Sequence, residues 1–263
     1  MQTGFYSATG GMVAQFHKLD ATTNNLANLN TAGFKRDELI FGDYMRKAQG
    51  TRDELPLENN TRDGSKFFNR TVSRVPQVVD QYTDYKVGAL EQTNNPLDMG
   101  ITEDDIFFAV NTPNGKRLTR DGSFNLNSEG LLVTKEGFEV LNAKGRPIKV
   151  EVDKNFQVDK DGMIKNRADE IDQIMLVRPE NLRTLVKEGD SLLKMESEEE
   201  FIPTTDSFAI QQGYVEKSNI NAVLEMSSLI EVNRMVGMYK KVMDTQMNDI
   251  NRDAIEKLGS TRA

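Results

Sequence analysis

The 263-residue chain has no cysteine, one histidine and a net charge of −8. Disulfides and thiolate metal sites are thereby excluded, and the usual zinc and Ser-His-Asp constellations lack parts. The acidic balance speaks against nucleic acid, which needs a concentrated basic face, and no apolar run approaches the roughly eighteen residues that cross a bilayer, so direct membrane insertion is not expected.

Phe5, Met12, Leu19 and Leu26 recur every seven residues, and Phe16 and Leu29 extend the same face. That spacing predicts a helix over Phe5 to Leu29, about 37 Å long, with one apolar stripe. Gly10-Gly11 weakens it in isolation, so it needs a partner. His17 lies off the stripe and reads as an ordinary polar residue, since a catalytic histidine needs an oriented partner. The run from Asn24 to Asn30, followed by Gly33, reads as a helix end turning into an extended segment: asparagine amides bond free carbonyls and tolerate left-handed geometry, and glycine stops helices. The same amides also offer bridges to neighbouring chains.

Residues 34–74 are mixed. Leu39, Ile40, Phe41, Tyr44 and Met45 can pack against helices, whereas Arg46 to Lys66, with Gly50, Pro56 and Gly64, reads as extended or loop. Residues 75–217 read as an all-β body. Val72 to Val87 alternates as a strand, and glycines at 115, 122, 130, 137 and 145 punctuate short strand-like pieces, which predicts a meander of antiparallel strands. Ile148, Val150, Val152, Phe156 and Val158, then Ile174 to Val177, continue it. Asp159-Lys160-Asp161-Gly162 imitates the start of a calcium loop but lacks the intervening ligands, so it is read as a hairpin turn. Glu196 to Glu200 is an acidic, solvated loop. Nothing sets two carboxylates opposite each other, and no phosphate-binding glycine loop is present; no enzymatic role, cofactor or metal is expected.

Ile220 to Leu258 contains no proline and one glycine, Gly237. Leu229, Val236, Met243 and Ile250 are seven apart, Val232 and Tyr239 fill the other line, and Gln246 and Asp253 interrupt the stripe. A helix of about 58 Å with a narrow, interrupted seam suits a partner helix better than a deep core, and the partner is expected at the other end of the chain. The expected fold class is α+β: terminal helices pairing as a coiled coil around a central all-β domain of short antiparallel strands. The expected organisation is a discontinuous helical assembly domain (1–33 and 218–263), a connecting region (34–74) and a β body (75–217). Two readings stand at this point: multi-copy assembly through the stripes, or a soluble β-sheet binding module dimerised by helical ends.

Ser7, Thr9, Gly10, Met12, Asn24, Asn25, Asn28 and Asn30-Thr31-x-Gly33-Phe34-Lys35 resemble the N-terminal motif of bacterial flagellar rod and hook proteins. Gly213-Tyr214-Val215-Glu216-Lys217-Ser218-Asn219, then Glu225-Met226 and Leu229-Ile230, resemble the C-terminal motif of that family. Thr93, Asn95-Pro96-Leu97-Asp98 and Thr119-Arg120-Asp121-Gly122-x-Phe124 match its middle, with departures at Asp105-Ile106 and Leu118. The resemblance implies a structural subunit of the basal-body rod, located in the periplasm. It implies that Phe5, Met12, Phe16, Leu19, Leu26, Leu229, Val232, Val236, Tyr239, Met243 and Ile250 form the assembly interface. The partners implied are other copies of the chain, other rod proteins and the flagellar type III export apparatus; the absence of a cleavable secretory signal is what that route predicts. Length and the local departures favour a proximal-rod member, with a distal-rod member as the alternative.

Overall fold

A computed structural model describes residues 2–43, 76–150, 157–166, 169–189, 191–195 and 210–260. The Arg46 to Lys66 segment, the acidic stretch Glu196 to Glu200, and Tyr44, Met45, Val72, Val75, Val152 and Phe156 lie outside the described residues. The chain divides into two compact units: one of Met1–Leu26, Asp37–Tyr82 and Ala222–Ala263, the other of Ala27–Arg36 and Thr83–Asn221.

The first unit holds α1 (Gln2–Ala27) up to Leu26, α2 (Ala222–Ser260), and a two-stranded ribbon of β1 (Arg36–Asp43) and β2 (Pro76–Asp84), whose end residues Arg36, Thr83 and Asp84 belong to the second unit. α1 stops two residues before Leu29 because Asn28 begins a turn. Its carbonyl accepts Thr31 N at 3.2 Å, its side-chain oxygen accepts Thr31 Oγ1 at 3.2 Å, and Gly33 then takes φ +67°. α2 spans 39 residues, about 58 Å. It follows Asn221, a residue type that favours helix starts, and carries the buried Glu225 in its first turn, where the helix dipole favours a carboxylate. In the ribbon Gly42 admits Val79, since a Cβ there would lie 2.4 Å from Val79 Cγ2.

The second unit is mostly β. In chain order its strands are β3 (Leu90–Gln92), β4 (Met99–Ile101), β5 (Phe107–Thr112), β6 (Gly115–Thr119), β7 (Asn125–Leu126), β8 (Leu132–Val133) and β9 (Glu139–Val140). There follow β10 (Gln157–Val158), β11 (Met163–Asn166), β12 (Asp169–Gln173), β13 (Leu176–Val177), β14 (Val186–Gly189), β15 (Leu192–Lys194), β16 (Ile210–Gln212) and β17 (Tyr214–Glu216). The largest sheet runs β14-β15-β6-β5-β9-β8-β7, with β13 also on β5, and its pairings are antiparallel. Strands β7 to β9 form the expected meander, but β9 joins β5, and the far edge of β6 is taken by β15. Gly115, Gly130, Gly137 and Gly145 adopt positive φ at turns. Gly122 does not; it marks a close crossing, where a Cβ would lie 1.8 Å from Met99 O.

Successive side chains of a strand face opposite sides, and β5 supplies a core on each. Phe108, with Val110, packs among Met99, Phe124 and Ile148; Phe107, with Ala109, packs among Leu118, Leu141 and Met175. Phe108 meets Phe124, and Phe107 meets Tyr85, edge to face at 5.1 and 5.6 Å. The Asp159-to-Gly162 stretch is a hairpin turn between β10 and β11, with Gly162 N bonding Asp159 O at 3.0 Å. The last strands of the unit pair with its first: β16 with β4 and β17 with β3.

Candidate functional site

In the first unit α1 approaches α2 through small residues. Ala8, Gly11 and Ala14 are buried on one line, and the Tyr239 ring covers Gly11 so closely that a Cβ there would meet it at 2.6 Å. Thr9 Oγ1 lies 3.5 Å from Met243 Sδ. This line sits roughly a quarter-turn around the helix from the Phe5–Met12–Leu19–Leu26 stripe. Phe5, Met12, Leu19 and Leu26 are half-buried, and Phe16 is 41% exposed. On α2, Val232 is fully buried, and Leu229, Val236, Tyr239 and Met243 are half-buried. The side chain of Ile250 is outside what is described. The small-residue line carries no hydropathy stripe, so periodicity does not find it.

The motif asparagines and glycines hold backbone. Within the first unit the buried Asn25 amide makes a two-way pair with β1: Nδ2 donates to Asp37 O at 2.9 Å, and Oδ1 accepts Asp37 N at 3.0 Å. Asn24 is exposed at the end of α1. The remaining motif residues belong to the second unit. Gly33 N donates to Glu216 O at 2.8 Å. A Cβ on Gly33 would lie 2.3 Å from the Arg120 carbonyl carbon, so both its φ and its contact require glycine. Gly213 N donates to Asp98 O at 2.7 Å, and its own carbonyl accepts Thr93 N and Asn94 N. Asn219 accepts Arg36 N at 2.9 Å and donates to Asp84 O at 2.8 Å. Asn30 is exposed, while Ser218 is buried with its Oγ unbonded.

At the centre of this junction lies a buried charge cluster. Lys35 Nζ is 2.5 Å from Glu216 Oε1 and donates to Lys86 O at 2.7 Å. The same carboxylate oxygen accepts Gly88 N at 2.8 Å. Arg120 Nη1 stands 3.7 Å from Glu216 Oε2, while Nη2 donates to the carbonyls of Glu103 and Asp104 at 2.6 and 2.8 Å. The guanidinium also lies 5.2 Å from the centre of the Phe107 ring. All three side chains are 1–3% exposed. Burial, then the neighbouring Arg120, pulls the Lys35 pKa down to about 8 against the opposing pull of Glu216. Burial likewise lowers that of Arg120. Each of the three stands inside a motif string, but a charged residue in a sequence reads first as solvated, which hides its role here. Among the described residues no group of acidic and histidine side chains has the arrangement to hold a metal ion. The cluster binds chain to chain, joining the segment after α1, the segment before α2 and the body between.

Comparison with known proteins gives the same three-part pattern. Residues 5–35 match the family described as flagella basal body rod protein, and 103–166 the flagellar hook protein FlgE/F/G D1 domain. Residues 211–252 match the flagellar basal body rod FlgEFG protein C-terminal family. The flagellar basal-body rod protein FlgF of Caulobacter vibrioides is 34% identical over 98% of this chain and 99% of its own length. That of Rhizobium meliloti is 31% identical over the whole of both chains. The rod protein FlgG of Bacillus subtilis is 27% identical over 93% of this chain and 95% of its own. The chain therefore belongs to the flagellar basal-body rod protein family and is a structural subunit of the bacterial flagellar rod, not an enzyme.

Proposed function

We propose that this subunit polymerises through its two terminal helices, paired as a coiled coil, into the helical tube of the proximal rod in the periplasm, where the tube transmits torque. The observation that carries this reading is where apolar surface is left uncovered. Of the fifteen exposed large hydrophobic side chains among the described residues, fourteen belong to the first unit and only Val186 to the second. On α2, Val223, Met226 and Ile230 are 75%, 51% and 69% exposed, on the side away from the buried Glu225 and Val232. A helix apolar on both faces is one that becomes buried on both. Contacts between such faces that do not close on themselves build a filament.

The stripe residues named from the sequence, with Ile250, would then form the interface within and between copies. The helical assembly domain would comprise residues 1–33 and 218–263, residues 34–74 would connect, and the β body of residues 75–217 would brace the tube. Partners are further copies, other rod proteins and the flagellar type III export apparatus, a route that suits a chain without cysteine. The higher identity to the FlgF relatives than to that of Bacillus subtilis FlgG supports the proximal over the distal rod.

Ile230→Asp tests the assembly reading. The variant is expected to keep the far-UV spectrum and monomeric sedimentation of the parent, to be missing from isolated basal bodies, and to leave cells non-motile. Motile cells with Ile230→Asp in their rods would overturn the reading, as would a parent protein that sediments as a closed dimer.

A further inference from the structure

The strands that complete the second unit are the last of it in the chain. β16 and β17 pair with β4 and β3, more than a hundred residues earlier. Between them Gly213 N bonds Asp98 O, and beyond them Lys217 N bonds Ala89 O at 2.9 Å. Ile210, 2% exposed, enters the core beside Met99 and Ile101. The same short segment supplies Glu216 to Lys35 and Arg120, two cations that are buried in the finished unit.

Arg120 spends Nη2 on two carbonyls, but its Nε and Nη1 find no hydrogen-bond partner in the unit. Asp104 and Asp105 also attract Arg120, yet Asp104 is exposed and bonded to Val87 N, and Asp105 is only half-buried and pairs with Arg178 at 2.9 Å. Glu216 is thus the buried counter-charge for both Lys35 and Arg120. Without it the cluster would hold two buried cations and no buried carboxylate, and a buried charge that loses its partner is strongly destabilised.

We infer that the second unit closes from its C-terminal end: residues 210–219 are a latch, and the body stays open until Glu216 arrives to neutralise Lys35 and Arg120. A chain that emerges N-terminus first, from a ribosome or from any narrow channel, therefore cannot lock this body while still in transit. Non-local pairings are the slow ones to form in any case, and here the charge balance withholds stability until the last of them is made.

Hydrogen exchange read by mass spectrometry on the full chain tests this, with wild type, Glu216→Gln and the double variant Lys35→Met/Glu216→Gln. In Glu216→Gln the amides of β5 and β6 are expected to exchange about 100-fold faster or more, together with those of β3, β4, β16 and β17. Adding Lys35→Met, which removes one of the two cations, is expected to recover at least about tenfold of that loss. If Glu216→Gln loosens only β3, β4, β16 and β17 while β5 and β6 keep their protection, the segment is a peripheral flap and the inference fails. It fails also if Lys35→Met recovers nothing, because the defect would then be one of shape and not of charge. The measurement is made on dilute monomer, so its outcome is separate from that of the assembly reading.

Discussion

Lys35 holds an ammonium where desolvation disfavours charge most, Arg120 disfavours it next, and Glu216 only partly restores it, so that its pKa lies at about 8 against the ordinary 10.5. Below pH 8 folded and unfolded chains both bind the proton, and the penalty of burying it is present in full. Between pH 8 and 10.5 the folded chain has released a proton that the unfolded chain keeps, so stability rises with pH; above 10.5 the two states match again. The gain at Lys35 amounts to about 3 kcal/mol at most. The urea midpoint of wild type, taken relative to that of Lys35→Met, is expected to be flat from pH 6 to 7.5 and to climb through pH 10. A flat difference across the whole range would show that Lys35 keeps its charge when folded.

The helices were legible because a seven-residue apolar period is a strong local signal, and each is found within a few residues of its expected ends. The turns at Gly115, Gly130, Gly137 and Gly145 were legible for the same reason: positive φ selects glycine locally. What stayed hidden depends on distant partners. Nothing near β6 announces that β15 will cover its edge, and nothing near Gly122 announces Met99. Gly11 reads as a weak point in α1 until Tyr239 is laid over it. That contact gives a test with an internal control. Gly11→Val forces the ring aside and is expected to lower the stability of the first unit by about 1–3 kcal/mol, seen as an earlier loss of ellipticity at 222 nm. Gly237→Ala, on α2 with nothing within 4 Å of its added Cβ, is expected to raise that stability by up to about 1 kcal/mol. Equal effects from the two substitutions would mean that Tyr239 does not set the helix spacing.

The molecule as a whole divides its labour between a unit that leaves apolar side chains uncovered and one that encloses them on both faces of a sheet. An isolated subunit should therefore melt in two steps. Calorimetry of the full chain is expected to give a lower transition for the helical unit and an upper one for the β unit, and a chain ending at Asn221 should retain the upper transition alone. Loss of both on that truncation would mean that the β unit leans on α2 for its stability. The hydrogen bond from Gly33 to Glu216 carries one more consequence. It ties the first stretch of chain in the β unit to the last, like a loop of rope gathered at its knot. Whatever lies between those two stretches can grow, shrink or be exchanged without undoing the tie, so the middle of such a chain can change in size while Gly33 and Glu216 stay joined.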